Sequence, residues 1–361
     1  MKKSFLILSA ICAVFASCQK QDVVSNAVNS ERISVSYSLV GNGAPVSKAA
    51  AASTKESTVA NYQIYVFNTD GSLDASGYQS SAEAITLKCT PGDKKVYGLV
   101  NHKADLTTSI NNETALLAVK SDLGDNDAAT TFVMFGEKDV TLPATGTVAV
   151  PVDRLCSKIY IDKITNNLNA ALGKITLNAI YVINATGDAT IGDETYCPAA
   201  AGSWYNKQKY VASGDTKIEA LLADNALATD IANGAAYSTP RYFYAYPNPT
   251  SDDNSDATFS PRYTRLVIDV TVENDKDASG AQVPHRYYPI NLCVKSGETY
   301  GGESAATSFM GLGRNLYYHI TNLKISRLGS LDPDKPVVSE DMTFSVSVNA
   351  WALGFEKEIE I

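Results

Sequence analysis

The chain has 361 residues, 45% of them apolar and 19% charged, with a net charge of −9. That apolar content builds a folded core, and the length exceeds what one core usually holds, so two domains are the default. The acidic balance and the lack of a Lys/Arg cluster argue against nucleic acid as a partner.

Lys2 and Lys3 open the chain, and Phe5 to Phe15 is an uncharged run. It has the length of a signal-peptide core and falls short of the ~20 apolar residues of a membrane span. It closes on Phe15-Ala16-Ser17-Cys18, small residues followed by cysteine. The expectation is a lipoprotein signal peptide over 1–17, with Cys18 carrying the lipid as the first mature residue. Residues 19–31 read as a polar tether.

Ile33, Val35, Tyr37 and Leu39 alternate with Ser34, Ser36 and Ser38, which predicts a half-buried strand. Gly41 to Thr58 reads as a loop. Tyr62, Ile64 and Val66 predict the next strand, and Asp70-Gly71 a turn. Ile85 to Cys89 and Lys95 to Val100 predict strands parted by Pro91-Gly92, and Asn112 is placed to cap a short helix carrying Leu116. A second unit is expected from about Val152, with strands at Lys158–Ile161, Ile175–Ile183, Tyr242–Tyr246, Arg265–Val272 and Tyr287–Val294. Ile218, Leu221, Leu222 and Ala226 predict its one strong helix, capped by Asp215 and ended by Gly234. Short strands with regular turn signals indicate a mainly β chain of two antiparallel β-sandwiches in tandem with few short helices.

Near the end, Phe344, Val346 and Val348 lie on one face of an alternating segment. At Trp351 the phase shifts, and Trp351, Leu353, Phe355, Ile359 and Ile361 become the apolar set. One flat strand cannot bury both sets on one face, so a bend is expected at Ala350-Trp351. The last residues have the pattern of an insertable donor strand, and equally of an ordinary final strand paired within its own domain.

No pattern for enzymatic chemistry stands out. His102, His285 and His319 lie in unrelated contexts, and phosphate-loop, nucleophile-elbow and zinc-protease motifs are absent. The reading is no enzyme, no cofactor and no metal. Asp252 to Asp256 fits a solvated acidic loop better than a calcium site. Besides Cys12 and Cys18 there are Cys89, Cys156, Cys197 and Cys293, widely spaced and without a CxxC pair. They suit disulfides or buried free thiols, and argue against zinc.

Taken together, several segments resemble the type V pilin (fimbrillin) family, the FimA- and Mfa-like fimbrial subunits of Gram-negative anaerobes. They are the lipobox with the strand Ile33 to Leu39, Val59 to Asn68 ahead of Asp70-Gly71, Val96 to Asn101, Arg154 to Ile159, Gly313 to Ile320, and Val346 to Trp351. The resemblance implies transthyretin-like sandwiches and a precursor held at the outer membrane by its lipid. A trypsin-like protease then cuts the loop after the first strand, and the cut falls on Lys48, with Lys55 in reserve. Familiar members carry arginine there, so lysine is a departure. The implied layout is a propeptide over 18–48, an N-terminal domain over 49–151, a C-terminal domain over 152–336 and a donor segment over 337–361. Ile33, Val35, Tyr37 and Leu39 would be displaced. Phe344, Val346, Val348, Trp351, Leu353, Phe355, Ile359 and Ile361 of a neighbouring subunit would replace them, giving an adhesive homopolymer at the cell surface. The alternatives are a non-polymerising surface lipoprotein that binds glycan or host protein, and an anchor or tip subunit.

Overall fold

The computed structural model describes residues 31–41, 54–126, 131–207, 219–250, 261–292, 299–300, 303–304, 311–335, 342–343 and 346–350. These residues are mainly β with only short helices, as expected. Contacts gather Arg32–Ile361 into one unit, separate from Met1–Glu31.

The first strand follows from its alternation. In β1 (Ile33–Gly41), Val35 and Tyr37 are buried, Ile33 and Leu39 half-buried, and Ser34 exposed. A 3₁₀ turn, Thr54–Ser57, precedes β2 (Tyr62–Asn68), which is buried on both faces up to Phe67. The expected turn joins it to β3 (Leu73–Gln79). There Asp70 Oδ1 accepts from Ser72 N at 2.9 Å, and Gly71 takes a φ of 81°. Next come β4 (Ile85–Cys89) and β5 (Gly92–Val100), the latter starting earlier than Lys95. In α1 (Glu113–Leu117), Asn112 caps as expected, its Oδ1 accepting from Ala115 N at 2.8 Å above the buried Leu116. β6 (Lys120–Asp122), β7 (Met134–Leu142) and β8 (Val148–Arg154) complete this region.

The seven-stranded sheet runs β3-β2-β5-β7-β8-β1-β4. Every neighbouring pair is antiparallel except β1 with β8. β7 meets β8 only at Met134↔Arg154 and Phe135↔Asp153. At Gly136 the backbone passes so close to Pro151 that a Cβ would stand 2.0 Å from its carbonyl oxygen. The β7–β8 ladder ends there, and Val148–Val152 of β8 pair with β1.

Later strands form further sheets. β9 (Ser157–Ile161) lies between Arg241–Ala245 and Leu316–Ile320, and the latter also pairs with Val346–Ala350. β10 (Ile164–Asn166) pairs with Leu323–Ile325. β11 (Ile175–Ile183) pairs with Arg265–Val272, which in turn pairs with Arg286–Asn291. Val152 lies inside β8, and the change of sheet falls between Arg154 and Ser157. A single apolar cluster joins Val35 and Tyr37 to Leu323 and Ile325, and β6 pairs with Asp188–Thr190.

The expected strong helix is corrected. Among the described residues it is one turn, Glu219–Leu222. Ala223 and Asp224 then pair as a strand with Tyr181 and Ile180, so sheet pairing overrides the three- and four-residue repeat that included Ala226. Gly234 closes a separate turn, where its N–H donates to Asn166 O at 2.8 Å. Asp215 and Ile218 lie outside the described residues.

Candidate functional site

The residues singled out in the first strand come together in one place. β1 pairs antiparallel with β4 over Ile33–Tyr37 and parallel with β8 over Tyr37–Gly41. Tyr37 is shared by both ladders, facing Ile85 on one side and Val148 on the other. It is wholly buried, and its hydroxyl lies 3.2 Å from Cys89 Sγ. Burial first, and then Cys89, push the Tyr37 phenol well above its ordinary range, and burial also raises the Cys89 thiol.

Next along β1, Leu39 packs over Gly98 of β5. A Cβ at Gly98 would stand 3.1 Å from Leu39 Cδ2 and 3.2 Å from Val152 Cγ1. A glycine inside a strand marks such a close approach. At the other end the Arg32 guanidinium holds the strand's entrance. It donates to the carbonyl oxygens of Asp74 and Lys88 at 2.6 Å each, and pairs with Asp74 Oδ1 at 3.2 Å. Asp74 keeps other partners, because Lys94 Nζ lies 3.3 Å away and Thr90 N donates to it at 2.8 Å.

Strand order gives this site its meaning. Among the described residues, β1 is the only strand between β8 and β4, and β4 has no other ladder partner in the sheet. Withdrawing β1 opens the β4 edge along Ile33–Tyr37 and the β8 edge along Tyr37–Gly41, a staggered slot about 10 Å across, twice the ~4.8 Å strand spacing, where the two edges meet at Tyr37. Ile85, Leu87 and Cys89 line one side and Val148, Val150 and Val152 the other.

The C-terminal residues do not join this slot among the described residues. Val346 and Val348 stand opposite Ile320 and Tyr318 in the chain's own sheet. Cys18, Lys48, Phe344, Trp351, Leu353, Phe355, Ile359 and Ile361 lie outside the described residues, as do the loop Asp252 to Asp256 and Cys293. Cys89, Cys156 and Cys197 are free thiols. The histidines share no site. His102 Nδ1 lies 3.0 Å from Ala104 O in a loop, His285 Nδ1 2.9 Å from Asp269, and His319 Nε2 2.8 Å from Asp162.

Sequence reasoning missed Arg32, Cys89 and Gly98 as parts of the site. Gly98 carried a signal, being an isolated glycine in an apolar run. Arg32 and Cys89 gain their roles only from strand pairing.

The sequence model of the family described as "Major fimbrial subunit protein (FimA)" matches residues 32–188, from the foot of β1 to the strand after β11. The matched region is of fimbrillin type. The resemblance drawn from the sequence segments is thereby borne out. A solved fimbrilin (FimA) from Porphyromonas gingivalis shares the fold, with a TM-score of 0.61 at 16% identity, over 90% of this chain and 98% of that one. So does a putative cell adhesion protein from Bacteroides eggerthii, with a TM-score of 0.61 at 22% identity, over 89% of this chain and 97% of its own length. A third structure, a putative cell adhesion protein from Parabacteroides distasonis, has a TM-score of 0.61 at 17% identity, covering 89% of this chain and 99% of that one. No curated protein matches. The first strand lies within the region that the family match covers.

Proposed function

We propose that this fimbrillin-type chain is a structural subunit of a type V pilus, polymerising by strand exchange and serving adhesion. Cys18 receives the lipid and holds the precursor at the outer membrane. Cleavage by a trypsin-like protease at Lys48, in the loop after β1, frees the propeptide 18–48. The donor segment 337–361 of a neighbouring copy then enters the slot, and the mature body, two sandwich domains over 49–151 and 152–336, joins a surface fimbrium.

The observation that carries this reading is the one-strand slot that β1 alone fills. Each ladder bond contributes ~1 kcal/mol net, and apolar burial ~25 cal/mol per Å². A donor strand of similar pattern would gain about what β1 gave up, so the exchange has little drive of its own. The covalent tether supplies the control. While the loop 42–53 is intact, β1 is present at an effective concentration in the millimolar range, and no free strand competes. Cutting the loop makes β1 a separate peptide that can be lost.

Protease-treated chain should form heat-labile multimer ladders in denaturing gels run without boiling, and deleting 352–361 should abolish them. Ladders that survive this deletion would refute the donor assignment. The competing reading is a non-polymerising surface lipoprotein that binds glycan or host protein, or an anchor or tip subunit. It draws support from the pairing of Val346–Ala350 within the chain's own sheet. Under that reading the treated chain stays monomeric at every concentration.

A further inference from the structure

Glu56 is a buried carboxylate that strand exchange does not use. It lies in the 3₁₀ turn Thr54–Ser57 and is 1% exposed. Its Oε1 accepts from Lys158 Nζ of β9 and from the Tyr244 hydroxyl of Arg241–Ala245, each at 2.6 Å. Its backbone carbonyl accepts from Arg154 Nε, at the end of β8, at 2.9 Å. Arg154 is wholly buried and Lys158 nearly so. Burial pulls the Arg154 guanidinium down to about 10, and Glu56 is first among the groups opposing that fall. Removing one partner from such a cluster leaves uncompensated charge inside the protein. The Phe132 ring packs on Tyr244 at 4.6 Å, walling one side. One residue therefore ties the chain that follows residues 42–53 to two sheets at once.

Its place in the chain gives this tie a consequence. Lys55 immediately precedes Glu56, so the Lys55–Glu56 bond has the residue type that a trypsin-like protease selects. Such an enzyme binds its substrate extended, much as an added strand, and cuts where the backbone is exposed and free to move. Here the bond lies inside a 3₁₀ turn, and the residue after it is held by side chain and carbonyl alike. Hydrolysis would add water across the C–N bond, leaving a carboxylate on Lys55 and a new ammonium on Glu56. That ammonium would form beside Arg154 and Lys158, adding a third cation around one carboxylate.

We propose that Glu56 is the fixed point of processing. It keeps Thr54–Ser57 on the body when β1 leaves, and it closes the Lys55–Glu56 bond to trypsin-like proteases. Its use in assembly rests on the processing reading above; the protection itself does not.

The test is native trypsin digestion of the full chain, with products followed by intact-mass spectrometry. In the wild type, no product beginning at position 56 should accumulate while cutting proceeds after the exposed loop residue Lys103. Glu56→Gln keeps the shape and removes the charge. It should yield the position-56 product at least ten-fold faster, with the Lys103 rate unchanged. Cutting after the buried Lys94, inside β5 and away from Glu56, reports global opening. If that rises in step in Glu56→Gln, Tyr244→Phe decides, because it removes the hydroxyl that donates to Glu56 and keeps the ring; it should expose position 56 without exposing Lys94. Wild-type cutting after Lys55 as fast as after Lys103 would overturn the proposal. So would a parallel rise at Lys94 in both variants, or no gain at position 56 in either. A chain never cut within 42–53 would sink the processing reading alone, and position 56 would still decide this one.

Discussion

In β2, every residue from Tyr62 to Phe67 is buried, and β3 and β5 flank the strand on both sides along its length. Even its buried Gln63 is satisfied, donating to Ala104 O at 2.8 Å and accepting from Leu106 N at 2.8 Å and the Tyr65 hydroxyl at 2.6 Å. β1 is held differently. Its burial alternates, β4 takes its first half and β8 its second, and only Tyr37 belongs to both ladders. β1 also precedes residues 42–53, so a single cut there separates it from the body, whereas β2 continues directly through a tight turn into β3. The contrast teaches that permanence in a sheet depends on connection and doubled pairing as well as on apolar content. The proposed exchange treats β2 as scaffold and β1 as a removable part.

Substitution of matched tyrosines should break or sharpen this contrast most. Tyr37→Ala and Tyr65→Ala each delete a wholly buried ring, and each should cost ~3–5 kcal/mol in urea unfolding of the intact chain. After cleavage and strand replacement, Tyr37→Ala should have no effect and Tyr65→Ala should keep its full cost. Equal persistence of both would make β1 a scaffold strand like β2.

Thiol labelling gives the next effect. Burial pushes the Cys156 thiol up to about 12 and also raises Cys89, so both are neutral at pH 8 and poor nucleophiles. Releasing β1 removes Tyr37 from Cys89, and iodoacetamide should then label Cys89 at least ten-fold faster while Cys156 stays protected. Equal rates before and after release would mean that the slot never opens.

A smaller effect is expected at the floor of the slot. Gly98→Ala crowds Leu39 and Val152 and should cost ~1–3 kcal/mol in the intact chain, measured by thermal melting. Smallest is Arg32→Ala. The Arg32 side chain is 45% exposed, so its ion pair with Asp74 should contribute under ~1 kcal/mol and weaken further in salt.

How much of this was legible in the sequence depended on how cleanly each face was buried. β1 declared itself through serines alternating with apolar residues, because one of its faces meets the core and the other does not. β3 went unrecognised, since Leu73–Gln79 is mostly half-buried and its Gly77 leaves room for Ile85 and Leu87 from β4. β8 does alternate at Val148, Val150 and Val152, but Pro151 within the run hides it. The overlong helix after Asp215 shows the opposite error, a helical repeat that sheet pairing cut short at Leu222. Glu56 gave no signal at all. A lone carboxylate in a Ser/Thr-rich stretch becomes informative only when Arg154, Lys158 and Tyr244, distant in sequence, close around it.

The most direct test of the central claim is binding of a synthetic peptide of residues 346–361, followed by fluorescence anisotropy, to the chain before cleavage and after cleavage with release of β1. The account predicts binding only after release, weakened at least ten-fold when Leu353 and Phe355 are both replaced by serine. Equal binding before and after release, or none after it, would contradict the claim that β1 keeps a place for another strand.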